Sequence, residues 1–163
     1  MLDAGDGKVV GYCIGTADTA AFARRWRDEF VQTVDDKIVP RPGVETGDAQ
    51  MEKKVVKGLR KAVWGAECSM LLVAEDEEDI LERWSGHLHV NVLSGWQRSG
   101  WGRMLVNAFC NGVKREGKRG VHLDVGVSNA GARAFYKVLG FGELERVGKK
   151  EEGAVTLVKR VEF

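Results

Sequence analysis

The sequence predicts one α/β domain, and three observations carry this prediction. The chain has 163 residues, the length of one domain, and 44% of them are apolar, which is enough for one sizeable core. Residues 87–93 and 121–127 alternate apolar with polar side chains, which is the period of a half-buried strand. A segment with helical spacing of apolar residues follows each of them, so strands and helices alternate through the second half of the chain.

Composition disfavours several classes of function. The chain carries 25 Lys plus Arg against 24 Asp plus Glu, so its net charge gives no reason to expect nucleic-acid binding. Cys13, Cys68 and Cys110 lack the spacings of zinc sites and disulfide frameworks, which favours a reducing compartment. The sequence shows no signal peptide and no apolar run of the roughly 18 residues that a membrane span requires. We therefore expect a soluble cytoplasmic protein without a nucleic-acid or membrane partner.

The N-terminal elements are a strand and a helix. The strand is predicted over Lys8 to Gly15, and its β-branched, aromatic and apolar residues suggest burial on both faces. Asp18 is a candidate N-cap for the helix, in which Phe22, Trp26 and Phe30 recur at helical spacing.

The region that follows is predicted to be helical between loops. Residues 43–50 have loop composition, and Met51 to Trp64 resume a helical period. The acidic run Glu75 to Asp79 predicts a solvated helix start. The buried sides of these two helices are predicted to be Val55, Val56, Leu59 and Val63 in the first, and Ile80, Leu81 and Trp84 in the second.

The second half of the chain shows clearer periods. The strand at 87–93 places its polar side chains on one face, and the next helix, after Gly102, ends at Gly117. The polar face of the strand comprises His87, His89 and Asn91, its apolar face Leu88, Val90 and Val92, and the helix stripe Leu105, Ala108, Phe109 and Val113.

The C-terminal part is predicted to contain three strands and a helix. The helix starts near Asn129, directs Ala132, Phe135 and Leu139 inward and stops at Gly140. The strands are predicted over Val121 to Val127, Gly142 to Val147 and Ala154 to Phe163, with a polar turn at Gly148 to Gly153 between the last two.

Residues 97–102, Gln-Arg-Ser-Gly-Trp-Gly, lie between a predicted strand and a predicted helix. The first N–H groups of a helix are unpaired, so such a turn binds anions. Gly100 and Gly102 leave the backbone open to a phosphate, Gly tolerates positive φ, and Arg98 and Arg103 add positive charge. Two glycines alone are equally compatible with an ordinary structural turn.

Two phosphate-binding motifs do not fit these residues. The loop is not closed by Gly-Lys-Ser/Thr, so a Walker nucleotide site would lack its lysine and its metal-binding hydroxyl. The dinucleotide fingerprint lacks its third glycine, and Asp124 falls in the middle of a strand. The phosphate is therefore expected to belong to another cofactor.

The pattern Gln-x-x-Gly-x-Gly at 97–102, combined with later residues, resembles the acetyl-CoA core of the GNAT superfamily of N-acetyltransferases. Residues 87–141 carry most of the match, and the segments His-Leu-His-Val, His-Leu-Asp-Val and Asn-Ala-Gly-Ala-Arg-Ala-Phe-Tyr are similar to the acetyltransferase-like domain of O-GlcNAcases and its stand-alone microbial relatives. Residues 11–19 also resemble that subgroup. The later residues of the pattern are Asn129, Ala132, Phe135, Tyr136, Gly140 and Phe141.

This resemblance implies a fold and a division of the chain. The fold is a mixed central sheet flanked by helices, in one GNAT-like domain over residues 1–163 with its N-terminal elements reduced or missing. Residues 87–141 form the acetyl-CoA core, and residues 19–86 a helical insertion on the acceptor side. Sheet edges left bare by the reduction would favour pairing with a second copy, so a homodimer is expected.

The resemblance also implies roles for single residues. The strand before the loop offers backbone groups to pantetheine, the loop amides hold the diphosphate, and Tyr136 protonates the departing CoA thiolate. Asn129 and Tyr136 are seven residues apart, so they project from one side of their helix. The implied cofactor contacts are Val92, Leu93, Ser94, Gln97, Arg98, Ser99, Gly100, Trp101, Gly102, Arg103, Asn129, Ala132 and Tyr136.

Acyl transfer to an amine requires a base, because the attacking amine must be neutral. His89 is the first candidate, since histidine titrates near neutrality, and Asp124 on the next strand would orient or replace it. A histidine on a half-buried strand is more often a hydrogen-bonded structural residue, so this alternative stays open. A metal site made of His87, His89 and His122 is disfavoured because no cysteine or carboxylate spacing completes it.

Three functions are compatible with these residues. The first is an enzyme that transfers acetyl from acetyl-CoA to an amine of a small molecule or a protein. The second is a non-catalytic acetyl-CoA-binding interaction domain, and the third is a structural domain without a cofactor.

Overall fold

The computed structural model describes residues 1–65, 78–145 and 153–162. The strands are β1 (Leu2–Asp3), β2 (Val9–Thr16), β3 (Gly86–Val92), β4 (Gly120–Gly126), β5 (Gly142–Glu143) and β6 (Ala154–Arg160). The α-helices are α1 (Thr19–Arg25), α2 (Lys54–Gly65), α3 (Glu78–Arg83), α4 (Trp101–Arg115) and α5 (Ala130–Val138). A π-helical turn (Trp26–Phe30) and a 3-10 turn (Val31–Thr33) extend α1, and another 3-10 turn (Ser94–Trp96) precedes α4.

The strands form one mixed sheet in the order β1-β2-β3-β4-β6-β5. Among the strands that the structure describes, β3 and β4 are the one parallel pair, and the other neighbours are antiparallel. The register of β3 with β4 joins Gly86 to Val121 and His87 to His122, whereas β2 pairs with β3, and β4 with β6, along nearly their whole length. The two parallel strands therefore separate beyond His87 and His122. The predicted mixed sheet flanked by helices is confirmed.

The core lies between one face of the sheet and the helices α4 and α5. Its apolar side chains pack with almost no solvent exposure, and Val106 and Val121 have none. The predicted stripe of α4 is confirmed at Val113, which is buried, and at Phe109, which packs against the core. It is wrong at Ala108, which is exposed, and it omitted Val106 and Cys110, which are buried. Residues 106, 110 and 113 fit a helical period as well as the predicted residues do. Only the rotation of α4 against the sheet decides which of the two sets is buried.

Strand β2 is not buried on both faces, contrary to the prediction. Val10 is buried, but Tyr12 is 45% exposed and Ile14 63%. Alternation puts Tyr12 and Ile14 on the face opposite Cys13, which packs against the core, and among the described strands β1 pairs with the outer edge of β2 only at Val9 and Gly11. Apolar composition predicted the strand correctly but carried no information about which face is covered.

The insertion between β2 and β3 differs most from expectation. Asp18 caps α1 as predicted, since its Oδ1 accepts a hydrogen bond from the Ala21 amide at 2.8 Å. Helix α2 starts at Lys54, and its predicted buried residues Val55 and Leu59 are 67% and 62% exposed. The residue that α2 buries is Arg60.

The helix α3 begins at Glu78 and buries Leu81, whereas Ile80 and Trp84 are half-buried. The strand predicted over Gly142 to Val147 was too long, because β5 ends at Glu143. The last two residues of that prediction lie outside the described residues, and so do the start of the acidic run, Cys68, most of the turn at 148–153 and Phe163. Among the helices that the structure describes, none has the length and apolarity for a bilayer crossing.

Candidate functional site

A cavity of about 780 Å³ opens between the C-terminal end of β3 and the first turns of α4 and α5. Its walls contain cationic, amide and aromatic side chains next to the glycines of the loop at 97–102. The lining comprises Val90, Asn91, Val92, Gln97, Arg98, Gly100, Gly102, Arg103, Asn129, Gly131, Ala132, Phe135 and Tyr136.

The N-terminus of α4 lacks a side-chain cap. Gly100 occupies the N-cap position with φ of +86°, and no side chain in the described part of the chain caps the amides of the first turn there. At the start of α5, by contrast, the Asn129 side chain accepts a bond from the Ala132 amide at 3.1 Å. Unpaired amides beside Arg98 and Arg103 form a site suited to an anion, which fits a diphosphate.

The structure requires glycine at the two loop positions for different reasons. A Cβ at Gly100 would meet no atom within 4 Å, so its positive φ is the constraint, and Arg98 next to it has φ of +61°. A Cβ at Gly102 would lie 3.1 Å from Cζ of Phe135. Gly102 therefore also allows α4 to approach α5 closely, a role that the sequence did not reveal.

The loop is tied to the end of β3 by Gln97. Its Nε2 donates a hydrogen bond to the Val92 carbonyl at 2.8 Å. The Leu93 amide donates to the Val10 carbonyl at 2.9 Å, and the Ser94 carbonyl accepts from the Gln97 amide. Several backbone groups expected to face pantetheine therefore have protein partners, and Gln97 positions the loop.

Tyr136 is buried in the cavity wall between two aromatic rings, those of Phe135 and Phe141, whose centroids lie 5.1 Å and 5.3 Å from its own. Burial, with a smaller contribution from Cys13, raises the pKa of Tyr136 to about 12. The phenol thus keeps its proton at neutral pH and is a donor for a departing anion.

Three histidines cluster where β3 and β4 are paired. His87 is buried and stacks on His122 with a centroid separation of 4.7 Å, and the His89 ring lies edge-on to His87 at 4.8 Å. Burial, reinforced by His122 and His89, lowers the pKa of His87 to about 3. Nδ1 of His122 lies 2.5 Å from the Trp84 carbonyl, and His89 is exposed. Alternation predicted one polar face correctly, but it did not reveal that its first histidine is buried.

Not every sequence-predicted residue lines the cavity. Leu93, Ser94, Ser99 and Trp101 lie outside its lining, and so do His89 and Asp124. Asp124 accepts a hydrogen bond from the Thr156 hydroxyl at 2.7 Å. Asn91, Gly131 and Val90 line the cavity without having been predicted as contacts, and strand alternation alone pointed Asn91 to the opposite face from Val90 and Val92. Within the described ranges, no cluster of three or more His, Cys, Asp or Glu is arranged to hold a metal ion.

Comparison with known proteins agrees with this geometry. A model of the Acetyltransferase (GNAT) family matches residues 64–141. The solved structure of SsHAT is similar over 99% of this chain and 71% of its own length, with 29% identity and a TM-score of 0.73. MJ1207, an uncharacterized N-acetyltransferase of Methanocaldococcus jannaschii, is 45% identical over 62 residues, which cover 38% of this chain. The match spans 26% of that relative, about a quarter of its length.

The fold is identified by the two parallel strands that separate, by the uncapped loop before α4 and by these similarities. The fold is that of the GNAT superfamily, and the comparisons support a GNAT acetyltransferase domain. The similarity to the Acetyltransferase (GNAT) family and to an N-acetyltransferase supports an acyltransferase.

Proposed function

We propose that this chain is an N-acetyltransferase that transfers the acetyl group of acetyl-CoA directly to an amine. The observation that carries the proposal is the continuity of one cavity from the uncapped N-terminus of α4 to the buried phenol of Tyr136. The first end suits a diphosphate and the second suits a thiolate leaving group. The GNAT family generally uses acetyl-CoA, which supports the same assignment.

In this mechanism the amine nitrogen attacks the thioester carbon, the C–S bond breaks, and sulfur takes the Tyr136 proton. The amine gives up one proton to His89, directly or through water, and solvent exchange restores both groups. His89 is exposed and lies on the strand whose end lines the cavity. Asp124 orients His89 or replaces it as the base.

Tyr136→Phe tests the chemistry. We expect the purified variant to bind acetyl-CoA with unchanged heat in calorimetry, while thiol release over a panel of amines falls about 100-fold, the range for one general acid. Unchanged release would contradict the assignment of Tyr136.

Gly100→Ala tests the anion site, and Gly117→Ala is its matched control. Both glycines have positive φ and open space around their Cα, but Gly117 lies at the opposite end of α4. Each substitution costs about 1–2 kcal/mol of strain. Only Gly100→Ala should weaken acetyl-CoA binding, and equal weakening in both variants would mean that the loop does not hold the diphosphate.

A non-catalytic acetyl-CoA-binding domain is the second candidate, because neither His89 nor Asp124 lines the cavity. It predicts bound cofactor without amine-dependent thiol release. We further propose that the chain is related to the acetyltransferase-like domain of O-GlcNAcases, which is supported by the segments His-Leu-His-Val, His-Leu-Asp-Val and Asn-Ala-Gly-Ala-Arg-Ala-Phe-Tyr.

We also propose that the chain forms a homodimer in the cytoplasm. Among the described strands, none pairs with the outer edge of β2 beyond Gly11, and this edge supports pairing with a second copy. Cys13 and Cys110 are free thiols, as in a reducing compartment. A monomeric mass in light scattering would contradict the dimer.

A further inference from the structure

The point where β3 and β4 separate has polar side chains on the sheet face opposite α4 and α5. His87 and His122 are paired across these strands, and His89 and Asp124 each lie two residues further along. Alternation places all four on one face. Because the strands diverge after the histidine pair, His89 and Asp124 occupy opposite rims of the gap.

The neighbouring strands extend this row of side chains. Ile14 is paired with His89 across β2 and β3, and Thr156 is paired with Asp124 across β4 and β6. Thr156 is buried, and its hydroxyl donates a hydrogen bond to the Asp124 carboxylate. Ile14 and Tyr12 are exposed on the same face. The row therefore has an open apolar end and a carboxylate held in place by a buried hydroxyl.

The two sides of the gap differ in charge. The cavity on the cofactor side contains Arg98 and Arg103, whereas Asp124 is the one formally charged residue of the row. Val90 and Asn91, which directly follow His89 in β3, line the cavity, so the cavity ends beside the gap. An anionic cofactor and a cationic acceptor would thus meet from opposite sides.

From this arrangement we infer that the acceptor is a primary alkylammonium compound with an apolar part, bound by Asp124 and resting on Tyr12 and Ile14. The inference rests on the proposed function and adds its substrate class and a specificity-determining residue. Asp124 binds the ammonium group. His89 on the opposite rim takes one of its protons and passes it to water, which leaves a neutral amine, and takes a second proton when that amine attacks the thioester. Thr156 is a positioning residue for the carboxylate.

The charge state of alkylamines explains why a carboxylate is required. An amine like that of lysine has a pKa of about 10.4, so at neutral pH nearly all of it is protonated. A site that binds the abundant form must pair the ammonium, and charge-assisted hydrogen bonds to a carboxylate are about twice as strong as neutral ones. A neutral isostere of the same shape lacks this interaction.

The test uses 2-phenylethylamine and its uncharged isostere 2-phenylethanol as probes of the full chain loaded with CoA. We expect NMR titration to show binding of the amine at least about 10-fold tighter than that of the alcohol. Asp124→Asn should remove this preference and leave CoA affinity unchanged. Thr156→Val, which keeps the carboxylate, should weaken amine binding by a smaller factor, and it provides a second measurement if Asp124→Asn does not fold.

Asp28→Asn is the matched control, because it removes an exposed carboxylate from the π-helical turn of the insertion. Turnover of the amine with no effect of Asp124→Asn would keep the proposed function and overturn the inference. Amine binding that depends on Asp124, without any thiol release, would keep the inference and overturn the proposed function. Equal binding of amine and alcohol overturns the inference whether or not the chain has activity.

Discussion

Helices α4 and α5 bury apolar side chains against the sheet, whereas α2, in the insertion between β2 and β3, buries an arginine. The sheet side of α4 presents Val106 and Val113, both almost without exposure. The guanidinium of Arg60 instead donates to three backbone carbonyls, those of Pro40, Arg41 and Val44, at 2.7, 2.6 and 3.0 Å.

Tryptophans of the insertion add bonds of the same kind. Trp26 Nε1 donates to the Val63 carbonyl at 2.8 Å, and Trp64 Nε1 donates to the Val39 carbonyl at 3.0 Å. The insertion also closes on itself, because the Thr19 amide and hydroxyl both donate to the Ser85 carbonyl. Apolar burial holds the sheet and its helices together, and polar side chains bonded to backbone hold much of the insertion together.

The largest expected difference between the two regions is in the response to truncation of a leucine. Leu88→Ala, in the core, should lower the free energy of unfolding by about 2–5 kcal/mol, because it leaves a cavity. Leu59→Ala, at an exposed position of α2, should change it by less than about 0.5 kcal/mol. Urea unfolding followed by circular dichroism measures both, and comparable losses would show that the face of α2 is covered.

Arg60→Met sharpens the comparison. The substitution keeps a long apolar stem but leaves three carbonyls without their donor, and we expect a loss of about 1.5–3 kcal/mol. The loss should be local, so hydrogen exchange should accelerate in residues 39–65 while amides of β4 keep their protection. Faster exchange throughout the sheet would contradict separate stabilisation of the two regions.

Acid should weaken the sheet through His87. Its pKa is about 3 in the folded chain against an ordinary 6.5, so below pH 6.5 the unfolded chain binds a proton that the folded chain does not. Stability should therefore fall as the pH drops from about 6 towards 3, by up to ~1.4 kcal/mol per pH unit for this one proton. His87→Phe should flatten the dependence in urea titrations at several pH values. His89→Gln, which removes only the smallest of the three contributions to the lowered pKa of His87, should change the dependence far less.

The smallest expected effect concerns the junction of the two regions at Asp18. Asp18→Ala removes the N-cap of α1 and the ion pair with Lys118, and it should cost about 1 kcal/mol. The Lys118 ammonium, followed by the Ala21 amide, lowers the pKa of Asp18, so part of this contribution disappears in acid. Asp18→Asn keeps a cap and should recover most of the stability in thermal unfolding. Equal losses in the two variants would assign the effect to the ion pair.

Prediction from sequence succeeded where local pattern and packing agree. The period of two in residues 87–93 and 121–127 predicted β3 and β4, and Gly140, with φ of +84°, ends α5 as its position indicated. It failed for α2, because the helical period of Val55 and Leu59 gives an apolar stripe without saying that anything covers it. The buried Arg60 had no sequence signal, since its partners are carbonyls 16–20 residues away.

The sequence by itself determined the strands and helices of the second half and the loop at Gly100, because alternation, helical spacing and a glycine at the N-cap are properties of neighbouring residues. Only the tertiary structure decided that β3 and β4 separate beyond the His87–His122 pair, that Tyr136 is buried in the cavity wall, and that His89 and Asp124 occupy opposite rims. These features depend on how distant strands pair and on which sheet face the helices cover. Such contacts join residues far apart in the chain, and local periodicity does not record them.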